Sequence, residues 1–119
     1  MVMVSHIFNS NFDEKYPASL SKKTIDKLVN EVGFKGVIIS DDYDMGAIKN
    51  NYSLREIVIH SINSGVDILL FSNHIGKYDK NLAKKIHKII KEAIKNGSIN
   101  QAQIDKSYQK IIKLKENLI

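Results

Sequence analysis

The 119-residue chain contains no cysteine and no tryptophan, a single proline and a single arginine. Without cysteine there are no disulfides, thiolate metal sites or thiol nucleophiles, so any chemistry rests on carboxylates, histidines, hydroxyls or lysines. No apolar run approaches the ~18 residues that a membrane helix needs. Residues Met1 to Phe8 lack the basic flank and small-residue cleavage site of a secretory signal. A cytoplasmic chain with no membrane contact is expected. With 43% apolar residues the sequence can fill one core but not two.

The scarcity of arginine also bears on the net charge of +5, since seventeen of the eighteen basic residues are lysine. From Lys77 onward eleven lysines face Asp79, Glu92, Asp105 and Glu116, a local balance of +7, whereas residues 1–76 carry −2. Base readout and bidentate phosphate contacts favour arginine, and only Tyr78 and Tyr108 lie among these lysines as candidate stacking platforms. The charge pattern therefore argues against nucleic acid as the partner.

What is present alternates regularly. Met1 to Ile7 is an apolar, β-branched run of strand length, and Phe8 to Ala18, with Asn9, Asn11, Asp13 and Pro17, is expected as a loop. Ser21 can cap a helix with Ile25, Leu28, Val29 and Val32 on one face and Gly33 as its stop. Gly36 to Ser40 has the continuous branched pattern of a strand buried on both faces. A polar stretch from Asp41 to Asn51 follows. Ser53 and Glu56 form a capping box opening a helix that ends at Gly65. Val66 to Phe71 predicts a third strand. Asp79 can cap a helix with Leu82, Ile86, Ile89, Ala93 and Ile94, ended by Gly97, and a last helix spans about Gln101 to Glu116.

Three strands about thirty residues apart, each followed by a helix, are the rhythm of parallel βα units in an α/β fold. The loops after the strands form the working face of such folds. Here they carry Ser5-His6, Ser40-Asp41-Asp42-Tyr43-Asp44 and Ser72-Asn73-His74. Three carboxylates within four residues repel one another unless basic groups, a metal or sugar hydroxyls stabilise them. A solvated loop with capping aspartates is the plain alternative. Asp41 directly follows a buried strand, where a rigid backbone can aim a side chain as a covalent nucleophile requires. No EF-hand or His-Glu-x-x-His spacing and no glycine-rich phosphate loop occurs, so neither a metal site nor a nucleotide cofactor is expected. His60 and His87 lie within expected helices and read as structural.

Four segments taken in order, Val2-Met-Val-Ser-His-Ile7, Pro17-Ala-Ser-Leu-Ser21, Gly33 through Ile48 and Asn63 through Phe71, resemble glycoside hydrolase family 3, and within it the bacterial β-N-acetylhexosaminidase branch. Ile104, Asp105, Ser107 and the stretch from Ile111 to Leu114 extend the likeness into the last helix. The resemblance implies a (β/α)8 barrel of the TIM type, of which residues 1–119 would be the C-terminal portion of the catalytic domain: strands six to eight and their helices, an incomplete barrel. It implies that Asp41 is the nucleophile of a retaining mechanism acting on terminal N-acetyl-β-glucosaminides of cell-wall type. Asp42 and Asp44 would shape the local field and bind substrate, and His6 would lie near the sugar. In that branch the acid/base is a histidine in an upstream Lys-His-Phe-Pro-Gly-His-Gly-like segment, which this sequence does not contain. The chain by itself is therefore expected to be nearly inactive, and its partners to be the carbohydrate and either the N-terminal half of a split enzyme or further copies of itself. A non-catalytic module that binds through open strand edges or the lysine-rich tail is the alternative.

Overall fold

A computed structural model describes residues 1–118. Its centre is a parallel pair, β1 (Val2–Val4) and β2 (Ile38–Ser40), with Val2 opposite Ile38 and Val4 opposite Ser40. Around it lie α1 (Lys22–Asp26), α2 (Gly46–Lys49), α3 (Leu54–Ser64), α4 (Leu82–Lys95) and α5 (Gln101–Glu116). Parallel strands joined through helical crossovers establish the α/β class expected from the alternation. No helix among the described residues is long and apolar enough to cross a membrane.

The third expected strand is shorter than its apolar pattern suggests. Val66 to Phe71 joins the sheet through one parallel bridge, Ile39 to Ile68, so the regular sheet has two strands and not three. The reason lies in who supplies the hydrogen bonds. Ile68 exchanges bonds with Ile38 and Ser40, but the neighbouring rungs are taken over by side chains. The Asp67 carboxylate accepts the Ile38 N–H at 2.8 Å, and the Ser40 hydroxyl accepts the Leu70 N–H at 2.9 Å. The backbone runs alongside β2 without a continuous ladder.

Local signals account for most helix boundaries. Ser53 and Glu56 form the reciprocal capping box of α3, and Gly65 ends it in the left-handed conformation at φ 106°, which disfavours any residue with a Cβ. Ser21 caps α1 by accepting the Thr24 N–H. That helix does not run regularly to Gly33, because Lys27–Glu31 widens into a π-helical turn. Asp79 is not the cap of α4. Asn81 holds that position, while Asp79 accepts the Asn81 N–H and pairs with Lys85. The long segment after β1 is ordered by buried Asp13, whose carboxylate accepts the Lys15 and Tyr16 N–H groups and the Ser21 hydroxyl. Although burial opposes its charge, these bonds and Lys23 hold the Asp13 carboxyl below the usual range.

Three apolar clusters hold the elements together. Ile25, Ile38 and Val66 pack α1 beneath the sheet. Val58 and Ile62 meet Ala93 and Ile99 between α3 and α4. Leu20, Tyr43, Ile48 and Ile57 pack under the loops that follow the strands. At the opposite end of the sheet the Asp67 side chain, 1% exposed, ties β2 to α5 by bonding Ser107 and Lys110. Because Val2 and Val4 turn their peptides toward β2, those of Met3 face outward, and Met3 is 57% exposed.

Candidate active site

Residues at the C-terminal ends of β1, β2 and the Val66–Phe71 segment converge, and Asp42 is the hub. Its side-chain Oδ1 accepts the Ser72 N–H from the third loop and the Asp44 N–H from its own, each at 3.0 Å. Its main-chain carbonyl is 2.8 Å from His6 Nε2, which therefore donates, linking the first loop. Burial pushes the Asp42 carboxyl up, but the Ser72 hydroxyl and amide, the Asp44 amide and nearby His6 together hold it below the ordinary carboxylate value.

His6 is held on both ring nitrogens. Nε2 bonds the Asp42 carbonyl, and Nδ1 lies 2.7 Å from the Ser19 hydroxyl, so the ring is fixed from both sides. Its ring stacks on Tyr43 with centroids 5.2 Å apart. Tyr43 is buried, donates to the Ser19 carbonyl at 2.9 Å and accepts from the Ser61 hydroxyl at 2.6 Å. Burial raises its phenol to about 12, so it is a neutral strut at any physiological pH.

Asp44 is likewise engaged: Asn73 N–H donates to Oδ2 at 2.6 Å and Lys49 lies 3.2 Å from Oδ1. Lys49 also donates to the Ile75 carbonyl at 3.3 Å, so it holds the third loop while neutralising part of the acidic cluster. Asn73 sits at φ 54° and closes residues 73–79 by bonding Asp79 in both directions. His74, at the exposed tip, donates its N–H to Ser72.

Asp41 differs from its neighbours. Its N–H donates to the Val4 carbonyl at 2.9 Å, locking the main chain to the end of β1. Its Oδ1 accepts the Asp42 N–H at 2.8 Å, and Oδ2 has no hydrogen-bond partner among the described residues. The residue is half-buried. Of the three clustered carboxylates it takes the fewest hydrogen bonds among the described residues, one against at least two each for Asp42 and Asp44. Asp41 does not line any of five surface clefts of about 290 to 420 Å³. Among the described residues no group of three or more acidic or histidine side chains is arranged to hold a metal ion.

The cluster is thus stabilised by backbone amides and one lysine. Ser72 and Tyr43 lie in the loops the sequence singled out but had no role assigned there, and Lys49 had not stood out at all. The available signal for Tyr43 was a lone aromatic inside an acidic run; Lys49 offered none, being one lysine among seventeen.

The profile of the glycosyl hydrolase family 3 N-terminal domain matches residues 1–114. The chain belongs to glycosyl hydrolase family 3. Its likeness to individual family 3 proteins is spread over the chain. It is 31% identical over 119 residues to a secreted glycosyl hydrolase of Arthroderma benhamiae, covering 99% of this chain and 33% of that one. It is 30% identical over 104 residues to β-hexosaminidase A of Pseudoalteromonas piscicida, covering 86% of this chain and 17% of the relative. The crystal structure of the β-N-acetylglucosaminidase from Thermotoga maritima superimposes with a TM-score of 0.82 at 33% identity, over 94% of this chain and 24% of that one. The chain therefore spans a third or less of these family 3 relatives.

Proposed function

We propose that this chain supplies the nucleophile side of a retaining β-N-acetylhexosaminidase centre, with Asp41 attacking the anomeric carbon of a terminal N-acetyl-β-glucosaminide, cell-wall fragments being the substrate class. The observation that carries the reading is the free Oδ2 of Asp41 on an anchored main chain at the end of β2, in a chain of this family. In the first step Oδ2 bonds to the anomeric carbon and the leaving oxygen takes a proton from a general acid. In the second, that group deprotonates water, which releases the sugar with its configuration retained. Asp42, Asp44 and His6 set the geometry and field around Asp41.

The acid/base belongs to a segment whose motif this sequence lacks, on the same polypeptide or another. That segment would also build the wall opposite Asp41, in keeping with the absence of Asp41 from the lining of those five clefts. The free peptide edges at Met3 and at Leu69 are where its strands would complete the barrel. The test is to combine the chain with the N-terminal barrel segment of a family 3 hexosaminidase and follow hydrolysis of an aryl N-acetyl-β-glucosaminide. The expected result is activity in the mixture alone, abolished by Asp41→Asn with folding intact. Undiminished turnover in that variant would refute the nucleophile assignment.

The same free edges favour a second reading, a non-catalytic module that pairs through them with a partner or with copies of itself. A defined oligomer by light scattering that gains no hydrolysis on mixing would support it over the first.

A further inference from the structure

Asp41 owes its orientation to a single neighbour, since among the described residues the only hydrogen bond to its carboxylate comes from the Asp42 N–H. The peptide carrying that N–H is fixed by what the rest of Asp42 does. Its Oδ1 takes the Ser72 and Asp44 amides, and its carbonyl takes the His6 Nε2–H and, at 3.1 Å, the Met45 N–H. One residue therefore joins three loops separated by 36 positions toward His6 and by 30 toward Ser72.

We propose that Asp42 is a positioning residue: it welds the three loops into one plate and, through its own N–H, sets the rotation of the Asp41 carboxylate so that Oδ2 faces outward. The side chain acts as an acceptor of fixed reach, and a sugar contact through it is not required. Oδ1, already holding two main-chain amides, has little capacity left for a ligand hydroxyl, and the weld does not involve Oδ2. The weld stands on these distances alone; its service to catalysis rests on the nucleophile reading above.

The role separates two substitutions that chemistry usually groups differently. Asp42→Asn loses the charge but keeps an acceptor oxygen at the same reach. Asp42→Glu keeps the charge but carries it one methylene further. The test measures amide hydrogen exchange by NMR in the full chain, together with the 13C resonance of the Asp41 carboxyl. Loss of the weld should speed exchange at Ser72 and Asp44 by about 10- to 100-fold, the range expected when a hydrogen bond to a charged acceptor is removed. Asp42→Glu and Asp42→Ala should both show this and shift the Asp41 carboxyl resonance, while Asp42→Asn stays near the parent chain in both respects. The reverse ranking, with Glu like the parent and Asn like Ala, would mean that charge and not reach matters, and would overturn the proposal. So would unchanged Ser72 and Asp44 exchange in all three variants. Neither readout requires turnover, so a failed nucleophile assignment leaves the weld standing, and the converse also holds.

Discussion

Replacing Asp67 by alanine should be among the most damaging single changes in the chain. The carboxylate is 1% exposed and bonds the Ile38 N–H in the central strand, the Ser107 hydroxyl and the Lys110 ammonium, itself 21% exposed. Removing it leaves a largely buried cation and a buried amide without acceptors. Breaking a buried pair from one side costs about 3–5 kcal/mol. At roughly 0.05–0.15 kcal/mol per residue, a chain of this length is worth about 6–18 kcal/mol, and a sheet with two free edges belongs near the lower end. With a urea m-value of about 2 kcal/mol/M, the midpoint in Asp67→Ala should fall by roughly 2 M. Ser107→Ala removes one bond to the same carboxylate and leaves the other two, so about 1.5 kcal/mol is expected. Circular dichroism against urea reads all variants, with exposed Lys106→Ala as a control expected within about 0.5 kcal/mol of the parent. A loss below about 1 kcal/mol in Asp67→Ala, or one no greater than in Ser107→Ala, would refute the role given to this network.

Two further outcomes follow from the buried polar groups. Tyr43→Phe keeps the ring against His6 and Phe71 but strands the Ser19 carbonyl and leaves the Ser61 hydroxyl with the Ile57 carbonyl alone, and should lower stability by about 1–2 kcal/mol in the same urea assay. In an absorbance titration Tyr43 should be the last of the five tyrosines to ionise, so a variant spectrum missing a component near pH 10 would contradict its burial. Asp13 and Asp42 have carboxyls lowered in the folded state, so the stability each confers is complete above the unfolded value near 3.8 and is lost as pH falls through the lower folded values. Asp13→Asn should therefore differ most from the parent above pH 4 and converge with it toward pH 2, and a gap that does not change with pH would count against this.

Much of the fold was legible because its signals are local. Capping by Ser21 and Ser53, the stop at Gly65 and the spacing of apolar residues along α3, α4 and α5 depend on contacts within a few positions. Two of the departures from the expected elements, at Asp79 and at Val66 to Phe71, have the same physical origin. Asp79 carries a good capping side chain, but Lys85 and the Asn73 loop compete for its groups, and Asn81 starts the helix. Val66 to Phe71 has strand composition, but Asp67 and Ser40 spend side-chain atoms where a ladder would use peptides.

By itself the sequence determined the alternation of parallel strands and helices, the position of the acidic cluster directly after a buried strand, and the family likeness that singles out Asp41. Only the tertiary structure decided which of the three carboxylates is least engaged by hydrogen bonds. That depends on amides from Ser72 and Asn73, partners some thirty positions away whose approach follows from packing and leaves no local trace in the sequence.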